Sequence, residues 1–130
     1  MGTREAISTD AAPEAVGPYS QAIRAGGFVF TAGQLGIDPA TGELAGDGIA
    51  EQAERALANL GAILAAAGSG LDGIVKTTVY LADIGDWPAV NEVDARLVPE
   101  PCPARSAFAV KDLPKGARVE IEAVAVVGVG

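Results

Sequence analysis

Histidine is absent from the sequence, and its absence excludes several kinds of catalytic site. Without an imidazole the chain cannot build a Ser-His or Cys-His catalytic pair, and the commonest ligand of zinc and iron sites is missing. Cysteine is nearly absent as well: Cys102 is the single one, and it cannot form a disulfide within the chain. We therefore expect a site that holds no metal and contains no thiol–imidazole pair.

Basic residues are also scarce, with 9 Lys and Arg against 17 Asp and Glu and a net charge of −8. Nucleic-acid binding needs clustered cations to neutralise phosphates, so neither such binding nor a ribonuclease function is favoured. No apolar run approaches the roughly 20 residues that span a membrane. The N-terminal segment lacks the basic-then-apolar pattern of a secretory signal. With a single cysteine, these features predict a cytoplasmic protein that binds neither nucleic acid nor membranes.

Aromatic residues make up only 5% of the chain, whereas 49% of its residues are hydrophobic. A chain of this length and composition is expected to form one globular domain, which we place over residues 1–130. A core of small side chains in a short domain often depends on a partner surface for cover. We therefore expect an oligomer.

Hydrophobic periodicity predicts the element order β-β-α-β-α-β-β. The predicted bounds of the first five are 19–25, 28–34, 49–67, 74–81 and 86–97. Gly26-Gly27 predicts a tight turn between the first two strands. Asp47 and Asp86 are expected to cap the starts of the two helices, and Gly68 to end the first. Asn59 is assigned to the polar face of the first helix.

The segment 101–127 reads as two strands joined by a turn at 110–116. Alternation puts Glu120 and Glu122 on one face of the last strand and apolar side chains on the other. Two carboxylates among so many apolar neighbours indicate either a solvated rim or a functional site. Gly33, inside the second predicted strand, indicates either a strand end or a bulge or close approach of another group to the backbone.

Hairpins at both ends of the chain predict an α+β fold, in which one sheet carries both helices on one face. The opposite face must then be covered, and a neighbouring subunit is the expected cover.

Four motifs in this order resemble the RidA (YjgF) family over essentially the whole chain. They are Gly17–Ala22 (GPYSQA), Gly33-Gln34, Pro103–Ser106 (PARS) and Val119–Ala123 (VEIEA). The resemblance implies a chorismate-mutase-like α+β fold assembled as a homotrimer, with sites in clefts between subunits. It also implies hydrolysis of reactive enamines and imines (2-aminoacrylate, 2-iminopropanoate and 2-iminobutanoate) to 2-oxo acids and ammonia, without a cofactor.

Two residues carry the chemistry that the resemblance implies. Arg105 would bind the substrate carboxylate, and its planar guanidinium can do so through two parallel hydrogen bonds. Glu120 would transfer protons, because imine hydrolysis needs a proton on nitrogen, attack by water and release of ammonia. A partly buried carboxyl near apolar walls has a raised pKa, which suits that role. For Arg105 the alternative is a surface ion pair.

The resemblance implies further substrate-binding positions. Tyr19 would line the cleft, the backbone carbonyl of Gly33 would meet the substrate nitrogen, and Asn91 would lie near the site. Ala107 stands where many members have cysteine, and a backbone group there would serve equally. Val16 and Phe108 would be wall residues of the cleft. Ala32 stands where a serine is common in the family. A shorter loop before Pro103 leaves substrate preference open.

Two functions of different classes remain at this stage. The first is a 2-iminobutanoate/2-iminopropanoate deaminase, and the second is a module that binds a carboxylate metabolite in the same cleft without turnover. The presence of both Arg105 and Glu120 favours the enzyme. In either case the partner is a small 2-imino or 2-oxo acid.

Overall fold

A computed structural model describes residues 3–128 of the chain, so the two residues at each end of the predicted domain lie outside the described range. Within this range the chain forms one mixed β-sheet and two α-helices. Their bounds are β1 Glu5–Ile7, β2 Ala22–Ala25, β3 Phe28–Thr31, β4 Gln34–Leu35, α1 Ile49–Ala66, β5 Ile74–Leu81, α2 Trp87–Leu97, β6 Ala104–Ala109 and β7 Val119–Val126. The predicted α+β class is therefore confirmed.

The strands are ordered β1-β2-β3-β7-β5-β6, and β4 also pairs with β7. Among the described strands only β5 and β6 pair in parallel. The predicted hairpin within 101–127 is thus wrong, because β5 lies between β6 and β7. The helix α2 connects β5 to β6, and such a crossover is what a parallel pair requires.

Two strands escaped prediction because each is very short. β1 has three residues and β4 has two, too few to produce a period. The predicted strand 28–34 is interrupted after Thr31 and resumes as β4 at Gln34. The turn at Gly26-Gly27 is confirmed, with φ of 58° and 84° and a direct Ala25–Phe28 pair beside it. Positive φ at both positions is the geometry of a tight hairpin turn.

Helix α1 covers one face of the sheet and forms the centre of the core. Its buried residues meet the buried face of β7, which carries Val119, Ile121, Ala123 and Ala125. Helix α2 packs against α1 and lies on the same face of the sheet as Arg105. Both helices therefore lie on one face.

Two details at the helix ends differ from expectation. The N-cap of α1 is Gly48 and not the expected Asp47, and the Gly48 N–H donates to the side chain of Glu51. Asp86 does occupy the N-cap of α2, but its carboxylate accepts a hydrogen bond from Arg118. Gly68 follows the end of α1 with a φ of 82°, as its predicted role requires.

Asn59 was wrongly assigned to the polar face of α1, because it is fully buried. Its Nδ2 donates to the carbonyls of Leu35 and Ile37, and its Oδ1 accepts from Arg55. A buried amide with these partners fixes β4 and the following turn against the helix.

The opposite face of the sheet bears Glu120, Glu122, Val124 and Val126 in the predicted alternation with the buried face. Exposed aromatic residues extend this open face, namely Phe28, Phe30 and Phe108, whose exposed fractions are 41%, 47% and 46%. No helix of the described residues is long and apolar enough to cross a membrane.

Candidate functional site

Strand register places Glu120 and Arg105 on opposite faces of the sheet. Glu120 on β7 is paired with Tyr80 on β5, on the open face. Arg105 on β6 is paired with Thr77, which in turn is paired with the buried Ala123. Because directly paired residues share a face, the Arg105 side chain lies on the helix side. Within one chain these two residues therefore belong to separate clefts.

The first cleft gathers Glu120 with three other residues named from the sequence. It is a cavity of about 550 Å³ whose walls include Val16, Tyr19, Gly33 and Glu120, together with Lys115 of the loop before β7. Val16 and Tyr19 are exposed, at 85% and 53%. Tyr19 of the GPYS segment and Gly33, which lies between β3 and β4, therefore line the same cavity as Glu120.

Gly33 is a glycine because the Glu120 carboxylate lies directly against its backbone. A Cβ at position 33 would contact Glu120 Oε2 and would lie 2.8 Å from its Cδ. Any larger residue would displace this carboxylate. Close approach of another group to the backbone was one of the two explanations for Gly33. The group that approaches is Glu120, a candidate catalytic side chain.

The carboxyl of Glu120 is biased towards its protonated form. Burial raises its pKa above the ordinary value, and the negative charge of Glu122 raises it further. Glu122 Oε1 accepts a hydrogen bond of 3.0 Å from the Tyr80 hydroxyl. The pKa of Tyr80 is also raised, by burial first and then by this bond and the two glutamates. The direction for Glu120 is the one expected of a carboxyl that donates a proton.

The second cleft surrounds Arg105 on the other face. Arg105 Nη1 donates to Asp94 Oδ2 at 2.7 Å, and Nη2 donates to Asn91 Oδ1 at 2.6 Å. The guanidinium carbon lies 4.4 Å from the centroid of the Trp87 ring, a cation–π contact. These contacts from α2 fix the plane of the guanidinium at the edge of a cavity of about 520 Å³.

Of the three residues of α2 that contact Arg105, Asn91 was expected from the sequence and Asp94 and Trp87 were not. The pattern was available, because positions 87, 91 and 94 have the i, i+4, i+7 spacing of one helical face. Burial raises the pKa of Asp94, and the Arg105 charge and hydrogen bond oppose that rise. The pair is partly sheltered, with side chains 26% and 18% exposed.

Two positions named from the sequence, Ala107 and Phe108, line neither of these two clefts. Ala107 is paired with Val79 and packs against the core. Phe108 is on the Glu120 face, where its ring meets that of Tyr80 edge to face at 5.4 Å between centroids. Since β6 is an edge strand, part of its backbone is directed away from the sheet and can bind a ligand or another chain.

Cys102 lines the Arg105 cavity and is exposed. Within residues 3–128 no group of three or more carboxylate or thiol side chains is arranged to hold a metal ion.

Comparisons with known proteins cover nearly the whole chain. The family described as Endoribonuclease L-PSP matches residues 9–127. The human 2-iminobutanoate/2-iminopropanoate deaminase is 50% identical over 125 residues, which are 96% of this chain and 91% of the human one. The structure of RidA from an Antarctic Psychrobacter has a TM-score of 0.91 at 47% identity, covering 95% of this chain and 99% of that one. Escherichia coli TdcF with bound serine has a TM-score of 0.87 at 40% identity, covering 94% and 98%.

Proposed function

Since this chain belongs to the RidA (YjgF) family, we propose that it is a 2-iminobutanoate/2-iminopropanoate deaminase. It hydrolyses 2-imino acids and their enamine tautomers to 2-oxo acids and ammonia. The observation that carries the proposal is the Glu120 carboxyl, partly buried with a raised pKa against Gly33, in a chain half identical to a named deaminase. The same relatives favour catalysis over ligand binding without turnover.

Glu120 handles every proton in the reaction. Its protonated carboxyl donates to the imine nitrogen, which makes the carbon more electrophilic. The resulting carboxylate accepts a proton from water as the water oxygen bonds to that carbon. Glu120 then returns the proton to nitrogen, ammonia leaves as the carbonyl forms, and the hydroxyl proton restores the carboxyl. Water supplies both hydrogens and the oxygen, so the carboxyl is regenerated without any cofactor.

Arg105 binds the carboxylate that every 2-imino acid carries. Asp94 and Asn91 each engage one N–H of the guanidinium, which leaves other donors of the planar fork for a ligand. The bound serine of TdcF is a small amino acid with such a carboxylate. Each charge-assisted bond sheltered from water contributes about 1.5–3 kcal/mol.

A homotrimer with sites between subunits, in a chorismate-mutase-like arrangement, completes the proposal. Arg105 and Glu120 lie on opposite faces of one sheet, so a single active site needs Arg105 of one copy and Glu120 of another. The open face carries exposed Phe30 and Phe108, and β6 offers an unpaired edge. Both features favour a second copy of the chain as the cover.

The remaining assignments follow from this composite site. Tyr19 packs against the short side chain of the substrate, the Gly33 carbonyl accepts from its nitrogen, and Asn91 and the Ala107 backbone assist on the Arg105 side. We also propose that residues 1–130 act as one domain in the cytoplasm. Ribonuclease activity is not favoured, since the net charge is −8 and the sequence has no histidine to act as its base.

A competition assay tests the activity itself. An amino-acid oxidase generates imino acids in the presence of semicarbazide, which traps those that survive. The purified protein is expected to suppress semicarbazone formation from the small imino acids of alanine and 2-aminobutyrate. The same yield of semicarbazone with and without the protein, for every amino acid supplied, would refute the deaminase assignment.

A further inference from the structure

Glu122 and Tyr80 form a pair directly beside the candidate proton-transfer residue. Both lie on the open face of the sheet, where Tyr80 is paired across the strands with Glu120 and donates its hydroxyl proton to Glu122 at 3.0 Å. All three side chains line one cavity of about 350 Å³, together with Gly33. Glu122 takes no part in the proton transfers proposed above.

The hydrogen bond from Tyr80 distinguishes the two carboxyls. A hydroxyl that donates to a carboxylate stabilises its ionised form, and Glu122 has such a donor. Glu120 is pressed against the Gly33 backbone and is partly buried. When two neighbouring carboxyls compete for one negative charge, a hydrogen-bond donor favours the one it contacts. Here the contacted carboxyl is that of Glu122.

Other charged or titratable groups face Glu120 from the elements packed around it. They are Tyr80 on β5, Glu122 on β7, Asp112 and Lys115 in the loop before β7, and Glu14 and Tyr19 in the N-terminal segment. Among these six, Lys115 alone would lower the pKa of Glu120, because a nearby cation favours the ionised carboxylate. The pKa of Glu120 is nevertheless raised, by burial first and then by the negative charge of Glu122.

We propose that Glu122 is a positioning residue for proton transfer: bound by the Tyr80 hydroxyl, it places a negative charge beside Glu120, and this charge favours the protonated carboxyl that starts the cycle. The inference rests on the proposed function for its catalytic part only. Its electrostatic part concerns Glu120 and Glu122 whether or not turnover occurs.

The test is the titration of Glu120 in a Glu122→Gln variant of the full chain. The amide oxygen still accepts from Tyr80 while the charge is removed. Asp112→Asn is the matched control, because it removes one charge from the same cavity at an exposed position. Carbon-13 NMR follows the Glu120 carboxyl, identified by its disappearance in Glu120→Gln, and the pH dependence of kcat is measured in parallel.

In Glu122→Gln the titration midpoint of Glu120 is expected to fall by about 0.5–1 pH unit. The limb on which kcat declines with rising pH should move down by the same amount, whereas Asp112→Asn should shift both by less than half as much. An unchanged midpoint, or an equal shift in the control, overturns the proposal. A shifted midpoint with an unshifted kcat limb overturns its catalytic part. Failure of the deaminase assignment itself would instead appear as a wild-type protein without turnover.

Discussion

A Glu120→Gln variant is expected to lose about 10²–10⁴-fold in kcat, with KM changed little, because general acid–base catalysis contributes about that factor. The amide occupies the place of the carboxyl against Gly33 but cannot give or take a proton. Steady-state rates with 2-iminopropanoate generated in situ provide the measurement. A variant that retains more than a third of wild-type kcat would contradict the role of Glu120.

Thermal unfolding distinguishes this loss of activity from a loss of fold. The folded-state pKa of Glu120 is raised, so between the unfolded and folded values the native state binds more protons than the unfolded state. Wild-type stability therefore falls as pH rises through that range and is not regained above it. Glutamine does not titrate, so the variant should unfold at the same or a higher temperature at pH 7, and this advantage should vanish in acid.

Replacement of Arg105 should mainly affect substrate capture. Loss of two charge-assisted bonds, at about 1.5–3 kcal/mol each, predicts a fall in kcat/KM on the order of 10²–10⁴-fold in Arg105→Ala. Arg105→Lys keeps a cation beside Asp94 but loses the planar fork and the contact with Trp87. We expect the lysine variant to fall between wild type and alanine, with the loss seen as a raised KM.

Arg96→Ala is the matched control for this experiment. Arg96 lies on the same helix side of the fold and pairs with Glu54 at the surface, with a side chain 54% exposed. Its removal changes the net charge equally but touches neither cleft. Equal losses in the Arg96 and Arg105 variants would show that net charge, and not carboxylate binding, accounts for the effect.

The elements predicted well from sequence are those with many residues on a clear period. Helix α1 and strand β5 have eighteen and eight residues, and β5 matches its expected bounds. The alternation along β7 likewise assigned Glu120 and Glu122 to the face opposite the core. In such elements the buried side chains recur at a fixed spacing, so the pattern can be recognised from neighbouring positions in the sequence.

Strand pairing could not be obtained in the same way. Strand β5 lies between β6 and β7 because α2 forms a crossover from β5 to β6. No residue within 101–127 indicates this strand order. For the same reason the sequence could not place Arg105 and Glu120 on opposite faces, nor bring Tyr80 to Glu122. The helical spacing of Trp87, Asn91 and Asp94 is visible in the sequence. That this helical face contacts Arg105 is apparent only from the structure.

A subunit-mixing experiment tests the composite site most directly. Arg105→Ala and Glu120→Gln chains, each nearly inactive alone, are coexpressed with different tags, and mixed oligomers are purified and assayed for imine hydrolysis. Every mixed trimer, whichever chain it contains twice, has one of its three sites with both Arg105 and Glu120 intact, so about a third of the wild-type activity should return. Mixed oligomers no more active than their parents would contradict a site shared between chains.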